Sequence, residues 1–300
     1  MKSRFGWVRW LGGTLLLLIL LGLGVREWQT NRVVGHSDYR FNLAVIVPDK
    51  GVSFVSIDPA EKSILALPFP TDLAINSRGS GEYSISSLYK LGSYTGEGGR
   101  FARQKIQGFM RVPVPGYVLT KASKASLKTQ LRGALLASMV DNAETNLSRF
   151  DAWLLLGRIS RYRWREIGQD ELVRAGVIEE KTYHPERLQE YVGSRLFDWG
   201  IGESQVTVAI VNASGENGLG SDMADFLTNL GLDVVMLRSV NTGELLEHSE
   251  WQTESSEQAE ELSYIFVDLF GLGEAKTEQV GEEYRSSVLL KVGKDAKELF

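Results

Sequence analysis

Three hundred residues at 43% hydrophobic and 24% charged describe an ordinary folding chain, and about 150 residues per domain gives a prior of two domains. Cysteine is absent, which excludes thiol catalysis, disulfide frameworks and cysteine-ligated zinc, and the three histidines (His36, His184, His248) stand in no metal-ligand or triad spacing. The net charge of −5 argues against nucleic acid as a partner, but it divides unevenly: 27 basic against 19 acidic residues over 1–202, a net of +8, and 6 against 19 over 203–300, a net of −13.

Lys2, Arg4 and Arg9 precede the uncharged run WLGGTLLLLILLGLGV at 10–25. With Trp7 and Val8 included and Arg9 snorkelling, 7–25 is long enough to cross a hydrocarbon layer of roughly 30 Å. The expectation is a cytoplasmic stub and single-pass transmembrane anchor over 1–32, with the bulk of the chain extracytoplasmic at the cell membrane. Arg26 and Arg32, beyond the far end, count against that orientation. A cleaved signal peptide, for which Gly22-Leu23-Gly24 offers small residues, and a buried core helix are the competing readings.

NLAVIVPD at 42–49, VSFVSID at 52–58 and SILALPF at 63–69 read as strands joined by tight turns. A Gly/Ser-rich loop at 76–81 leads to a helical stretch at 85–91. Phe101, Ile106, Phe109 and Met110 then fall at helical spacing within 100–110. VPVPGYVLT at 112–120 is a strand candidate weakened by two prolines, and 121–140 returns to helix. Such alternation predicts an α/β domain over 33–200.

The order of features, with Ser56-Ile57-Asp58-Pro59, then Ala66-Leu67-Pro68-Phe69-Pro70-Thr71-Asp72, then Ile85-Ser86-Ser87-Leu88-Tyr89-Lys90-Leu91-Gly92 and GFMRVPVPGYV at 108–118, resembles the LytR-CpsA-Psr (LCP) family of envelope proteins. The resemblance implies an arginine-lined pocket for a polyprenyl pyrophosphate lipid and transfer of a glycopolymer from that lipid to the cell wall. Arginine suits phosphate because its planar fork binds two oxygens and keeps its charge. Here the chain departs from the family: Pro70-Thr71 stand where the motif arginine belongs, leaving Asp72 as the acidic match. Proline and threonine cannot neutralise a pyrophosphate, so the expectation is binding without chemistry, with catalytic residues none.

No acidic residue occurs between Glu97 and Asp141, while Arg100, Arg103, Lys105, Arg111, Lys121, Lys124, Lys128 and Arg132 all do. This run is either a surface for an anionic ligand or membrane, or a basic face paired with the acidic C-terminal part. If 150–167 is helical, Arg158, Arg161 and Arg165 form one stripe opposite Trp153, Leu154 and Leu156. These arginines are either solvated and paired with Glu166 and Asp170, or they bind phosphate. The phosphate candidates are Arg78, Arg100, Arg103, Arg158 and Arg161. Should the transferase survive, Asp72 would hold Mg²⁺, and at least two of the arginines would converge with it on one apolar-walled cleft.

After 195–202 the acidic domain, 203–300, opens with VTVAIVNAS at 206–214, a strand apolar enough for burial on both faces. Gly215 to Gly220 turn the chain into a helix with Ser221 as N-cap, Met223, Phe226, Leu227 and Leu230 as core, and Gly231 as its stop. LDVVMLRSV at 232–240 returns, completing a βαβ unit. The glycine order is not that of a dinucleotide fingerprint, and the acidic surroundings repel nucleotides, so no cofactor is expected. Val206, Val208, Asn212, Ser214, Gly215, Gly218, Leu219, Leu227, Gly231 and Val234, an amphipathic helix at 258–272, and SVLLKVGKD at 287–295 together resemble the LytR C-terminal domain, which implies a small α/β module that accompanies LCP domains.

The fold class is thus α/β: a transmembrane helix, an LCP-like domain and a small C-terminal domain with a βαβ unit. Expected partners are the membrane, a polyprenyl phosphate lipid or anionic cell-wall polymer, and a protein. A third reading is a scaffold that self-associates through its opposite charges and dissolves with salt.

Overall fold

The apolar run 41–47 can be buried on both faces, so it takes the middle of a sheet and not an edge. In the computed structural model the described residues are 34, 39–77, 81–121, 124–140, 143–179, 182–196, 199–202, 205–240 and 245–300. The expected anchor at 7–25 lies outside them, and among the described residues no helix is long and apolar enough to cross a membrane.

β1 (Phe41–Val47), β2 (Gly51–Asp58) and β3 (Ser63–Pro68) form an antiparallel meander, followed by a β4 (Ala74–Ser77) and β5 (Gly81–Ser84) hairpin. Then come α1 (Leu88–Ser93), α2 (Gly98–Met110), β6 (Gly116–Leu119), α3 (Leu127–Ser138), α4 (Arg149–Arg161) and β7 (Arg163–Glu166). α5 (Gln169–Arg174), the short β8 (Ile178–Glu179) and β9 (Thr182–Tyr183), α6 (Pro185–Leu196) and α7 (Trp199–Gly202) complete the first half. β6 and β7 join the meander in parallel at its two edges, giving the order β6-β1-β2-β3-β7.

Strand alternation then divides the core in two. Ala44, Ile46, Phe54 and Leu67 face Ala102 and Ile106 of α2, while Leu43, Val45, Val55 and Ile57 face Leu131 and Leu135 of α3 and Leu155 and Ile159 of α4. The expected helix over 150–167 is corrected here. It ends at Arg161, and Arg163, Trp164 and Arg165 alternate as a strand beside β3, so Arg165 leaves the stripe of Arg158 and Arg161. Trp153 is likewise not core. It is 58% exposed, and Ala152, Leu155 and Ile159 form the buried side.

α4 starts at a capping box in which the Ser148 Oγ accepts from the Asp151 N–H at 3.0 Å and the Asp151 carboxylate accepts from the Ser148 N–H at 3.1 Å. Asp151, only 1% exposed, also accepts from the Val34 N–H at 3.1 Å. Asp151→Ala removes a cap and strands that buried N–H, and should destabilise the first domain by about 3 kcal/mol in urea unfolding. A loss below about 1 kcal/mol would show that the tie to Val34 is solvated in solution.

The second sheet has the order β11-β10-β14-β12-β13, built from β10 (Thr207–Asn212), β11 (Asp233–Ser239), β12 (Glu250–Thr253), β13 (Lys276–Thr277) and β14 (Val288–Val292). α8 (Leu219–Leu230) links the parallel β10 and β11, the expected βαβ unit, and buries Met223, Phe226, Leu227 and Leu230. Its start differs from expectation. Gly218, at φ 81°, takes the N-cap position instead of Ser221, because the chain enters the helix through a left-handed residue that glycine adopts cheaply. Ser221 therefore lies within the first turn and is not the cap. Gly231, at φ 105°, ends the helix as expected.

α9 (Ser256–Ser263) passes directly into a π-helical turn, Tyr264–Leu269, so the expected helix at 258–272 is real but changes pitch midway. The Gly-Lys-Asp ending has a structural use: the Asp295 carboxylate accepts from the Ser249 N–H at 2.8 Å and from its hydroxyl at 2.6 Å, tying the end of β14 to the start of β12.

Candidate functional site

Among the described residues the candidate arginines fall into two pairs on opposite faces of the first sheet. Asp72 is exposed in a turn after β3, closed by the Leu73 N–H donating to the Pro70 carbonyl at 3.1 Å. Arg100 and Arg103 ride on α2 against one face of the first sheet, while Arg158 and Arg161 belong to α4 on the other, so the sheet separates the two pairs. Arg78 lies outside the described residues. Arg100 faces Glu97 at 3.2 Å and Glu298 at 3.9 Å. Arg103 donates to the Val114 carbonyl at 2.7 Å, and burial, then the neighbouring Arg100 charge, lowers its pKa.

The basic run divides in the same way. Its α2 half docks on the acidic second domain: Arg111 pairs with Asp222 at 3.5 Å and also with Asp225, and the Asn229 side-chain amide donates to the Arg111 carbonyl at 2.8 Å. Gln104 donates to the Glu298 carbonyl at 3.1 Å, and Gln107 to that of Leu299 at 2.8 Å. Pairing with the acidic domain is therefore what this half does. The α3 half faces elsewhere, with Lys124 and Arg132 exposed and Lys128 over the Trp164 ring at 6.0 Å.

A cavity of about 770 Å³ opens where β1 and β6 end beside α3. Pro48 and Leu119 come from the strand ends, Ala134 and Ala137 from the helix, and Lys121 and Glu144 from the connecting segments. Small side chains on α3 keep the helix face low, which leaves room between helix and strand ends. Glu144 accepts from the Tyr89 hydroxyl at 2.9 Å, and burial followed by this carboxylate raises the Tyr89 pKa. The opening thus carries one cation, Lys121, and one carboxylate, Glu144, on a wall that is largely but not wholly apolar, with Thr129 and Gln130 also lining it. Sequence reasoning counted Lys121 only within the charge run. The signal it passed over is the recurrence of Ala125, Gly133, Ala134 and Ala137 on one segment.

Residues 205–295 match the family described as LytR cell envelope-related transcriptional attenuator. No curated protein matches the chain in sequence. Among solved structures, TagT of B. subtilis is 15% identical, with 52% of this chain and 89% of that one covered at a TM-score of 0.34. A LytR-CPS2A-psr family protein, YwtF (TagT) with bound octaprenyl pyrophosphate lipid, gives 15% identity, coverage of 51% and 88%, and a TM-score of 0.34. TagV of B. subtilis gives 12% identity, coverage of 54% and 98%, and a TM-score of 0.35. One of these neighbours is thus described as a LytR-CPS2A-psr family protein, and residues 205–295 of this chain, which hold the βαβ unit and the Gly215–Gly220 turn, are similar to the LytR C-terminal family.

Proposed function

We propose that the chain is a membrane-anchored, extracytoplasmic envelope protein whose first domain is a divergent LCP-like fold that binds a lipid-linked envelope intermediate without transferring its polymer. The cavity beside α3 carries this reading, because it offers Lys121 on a largely apolar wall whose one carboxylate, Glu144, is engaged by the Tyr89 hydroxyl. Arg100 and Arg103 are separated by the sheet from Arg158 and Arg161, and Arg103 is engaged by the Val114 carbonyl, so these four do not form one clamp for a pyrophosphate. An anchor at 7–25 keeps the cavity near the bilayer from which such a lipid comes.

The test is native mass spectrometry of the full chain extracted from membranes in mild detergent. A co-purifying polyprenyl phosphate or pyrophosphate mass is expected, and Ala137→Trp, which fills the cavity, should remove at least nine-tenths of it. Extraction without any such lipid overturns the reading in favour of a protein partner. Transfer of polymer from a lipid-linked donor in the presence of Mg²⁺, above the level of a no-protein control, overturns the claim that transfer is lost.

A further inference from the structure

α3 and α4 cover the same face of the first sheet and run antiparallel, since Lys128 at the start of α3 sits over Trp164, just beyond the end of α4. Their outward sides carry two parallel lines at one-turn spacing. On α3 the line is Arg132, Leu136 and, just past the helix, Val140; on α4 it is Arg149, Trp153 and, two turns on, Arg161. Leu136 is 56% exposed, Val140 63% and Trp153 58%, and Phe150 stacks on Trp153 with ring centroids 5.8 Å apart. Because the end of α3 adjoins the start of α4, these four side chains share one end of the hairpin. Such a group on a surface is costly to leave in water.

The charges on the same surface choose the occupant. The two helices carry one carboxylate between them, Asp151, and it is buried within the capping box. Everything charged and outward-facing on them is cationic. A soluble polyanion would answer the arginines but not the leucine, valine and tryptophan, and an apolar protein face would answer the latter but not the former. An anionic bilayer answers both, with phosphates at the arginines and the aromatic and aliphatic side chains at headgroup depth.

We propose that the outer face of the α3–α4 hairpin is a second, peripheral membrane contact that lays the first domain on an anionic lipid surface. It rests on the proposed function only in that a bilayer is at hand, which reconstitution supplies directly. Loss of polyprenyl lipid in the Ala137→Trp variant and loss of this contact are therefore read separately.

Because the chain has no cysteine, one can be introduced as a unique labelling site. The full chain bearing Leu136→Cys or Trp153→Cys, labelled with an environment-sensitive fluorophore, is mixed with vesicles of pure phosphatidylcholine or of phosphatidylcholine with phosphatidylglycerol. With the anionic vesicles, both labels should shift to the blue and at least double in intensity. A label at Val173→Cys, exposed on α5, should not respond. Arg132→Gln combined with Arg161→Gln should weaken the response about 25-fold in vesicle concentration, near fivefold per charge removed. Labels at 136 and 153 that stay aqueous on anionic vesicles, in protein with unchanged far-UV circular dichroism, overturn the proposal. Equal protection by a soluble glycerol-phosphate polymer without vesicles also overturns it, in favour of polymer binding.

Discussion

Replacing Trp251 with alanine is expected to cost the second domain about 4 kcal/mol and to melt it ahead of the first. Trp251 is 2% exposed, stacks on Phe266 with centroids 4.5 Å apart, and donates its indole N–H to the Gly273 carbonyl at 2.8 Å. Truncation removes the largest fully buried side chain among the described residues, opens a cavity between β12 and the π-helical turn, and leaves the Gly273 carbonyl without that donor. Trp251→Phe keeps most of the volume and loses the hydrogen bond, so it should cost about 1.5 kcal/mol. Near-ultraviolet circular dichroism and urea titration read both. A loss under about 2 kcal/mol for the alanine variant would mean that Phe266 and its neighbours collapse into the gap.

Much of this architecture was legible in the sequence because the signals were local. The strands at 42–49, 52–58 and 63–69, the α2 positions Ile106, Phe109 and Met110, and the βαβ unit of the second domain follow from residue periodicity and glycine placement, although Phe101 of the same expected stripe is only partly buried. The segment 163–166 was not legible. Arg163, Trp164 and Arg165 fit the end of a helix as well as they fit a strand, and only pairing with β3 decides between them. The site was legible only in part. A charge run announces that something anionic is nearby but not what, and two different surfaces were written into one run: Arg111 meets aspartates of the second domain, whereas Arg132 points outward from α3. The cavity beside α3 joins strand ends to a helix across a long stretch of chain, from Pro48 to Lys121 and beyond, and such juxtapositions leave no local periodicity to read.

The contact between the domains supplies the other large effect, expected for Gln107→Leu. Gln107 is 2% exposed although it lies on an otherwise apolar helix face. Its carbonyl oxygen accepts from the Val114 N–H at 2.9 Å within the first domain, and its amide donates to the Leu299 carbonyl at 2.8 Å in the second. Leucine fills a similar volume but answers neither group, so the buried Val114 N–H loses its partner at roughly 1–3 kcal/mol and the half-buried Leu299 carbonyl loses its donor at the lower end of that range. The expected result is a loss of about 3 kcal/mol and a faster amide exchange at Val114. A single unfolding transition should also become two, because one of the hydrogen bonds that is lost crosses between the domains. Gln104→Ala is the matched control: its bond to the Glu298 carbonyl is at the surface, so its cost should stay within about 0.5 kcal/mol. Raising salt should widen the separation of the two transitions in the Gln107→Leu variant by screening Arg111 from Asp222, whereas the unsubstituted chain, still held by Gln107, should respond little. If Gln107→Leu unfolds in one step with unchanged exchange at Val114, the domains are held together by the opposite charges of their surfaces and the buried amide is incidental.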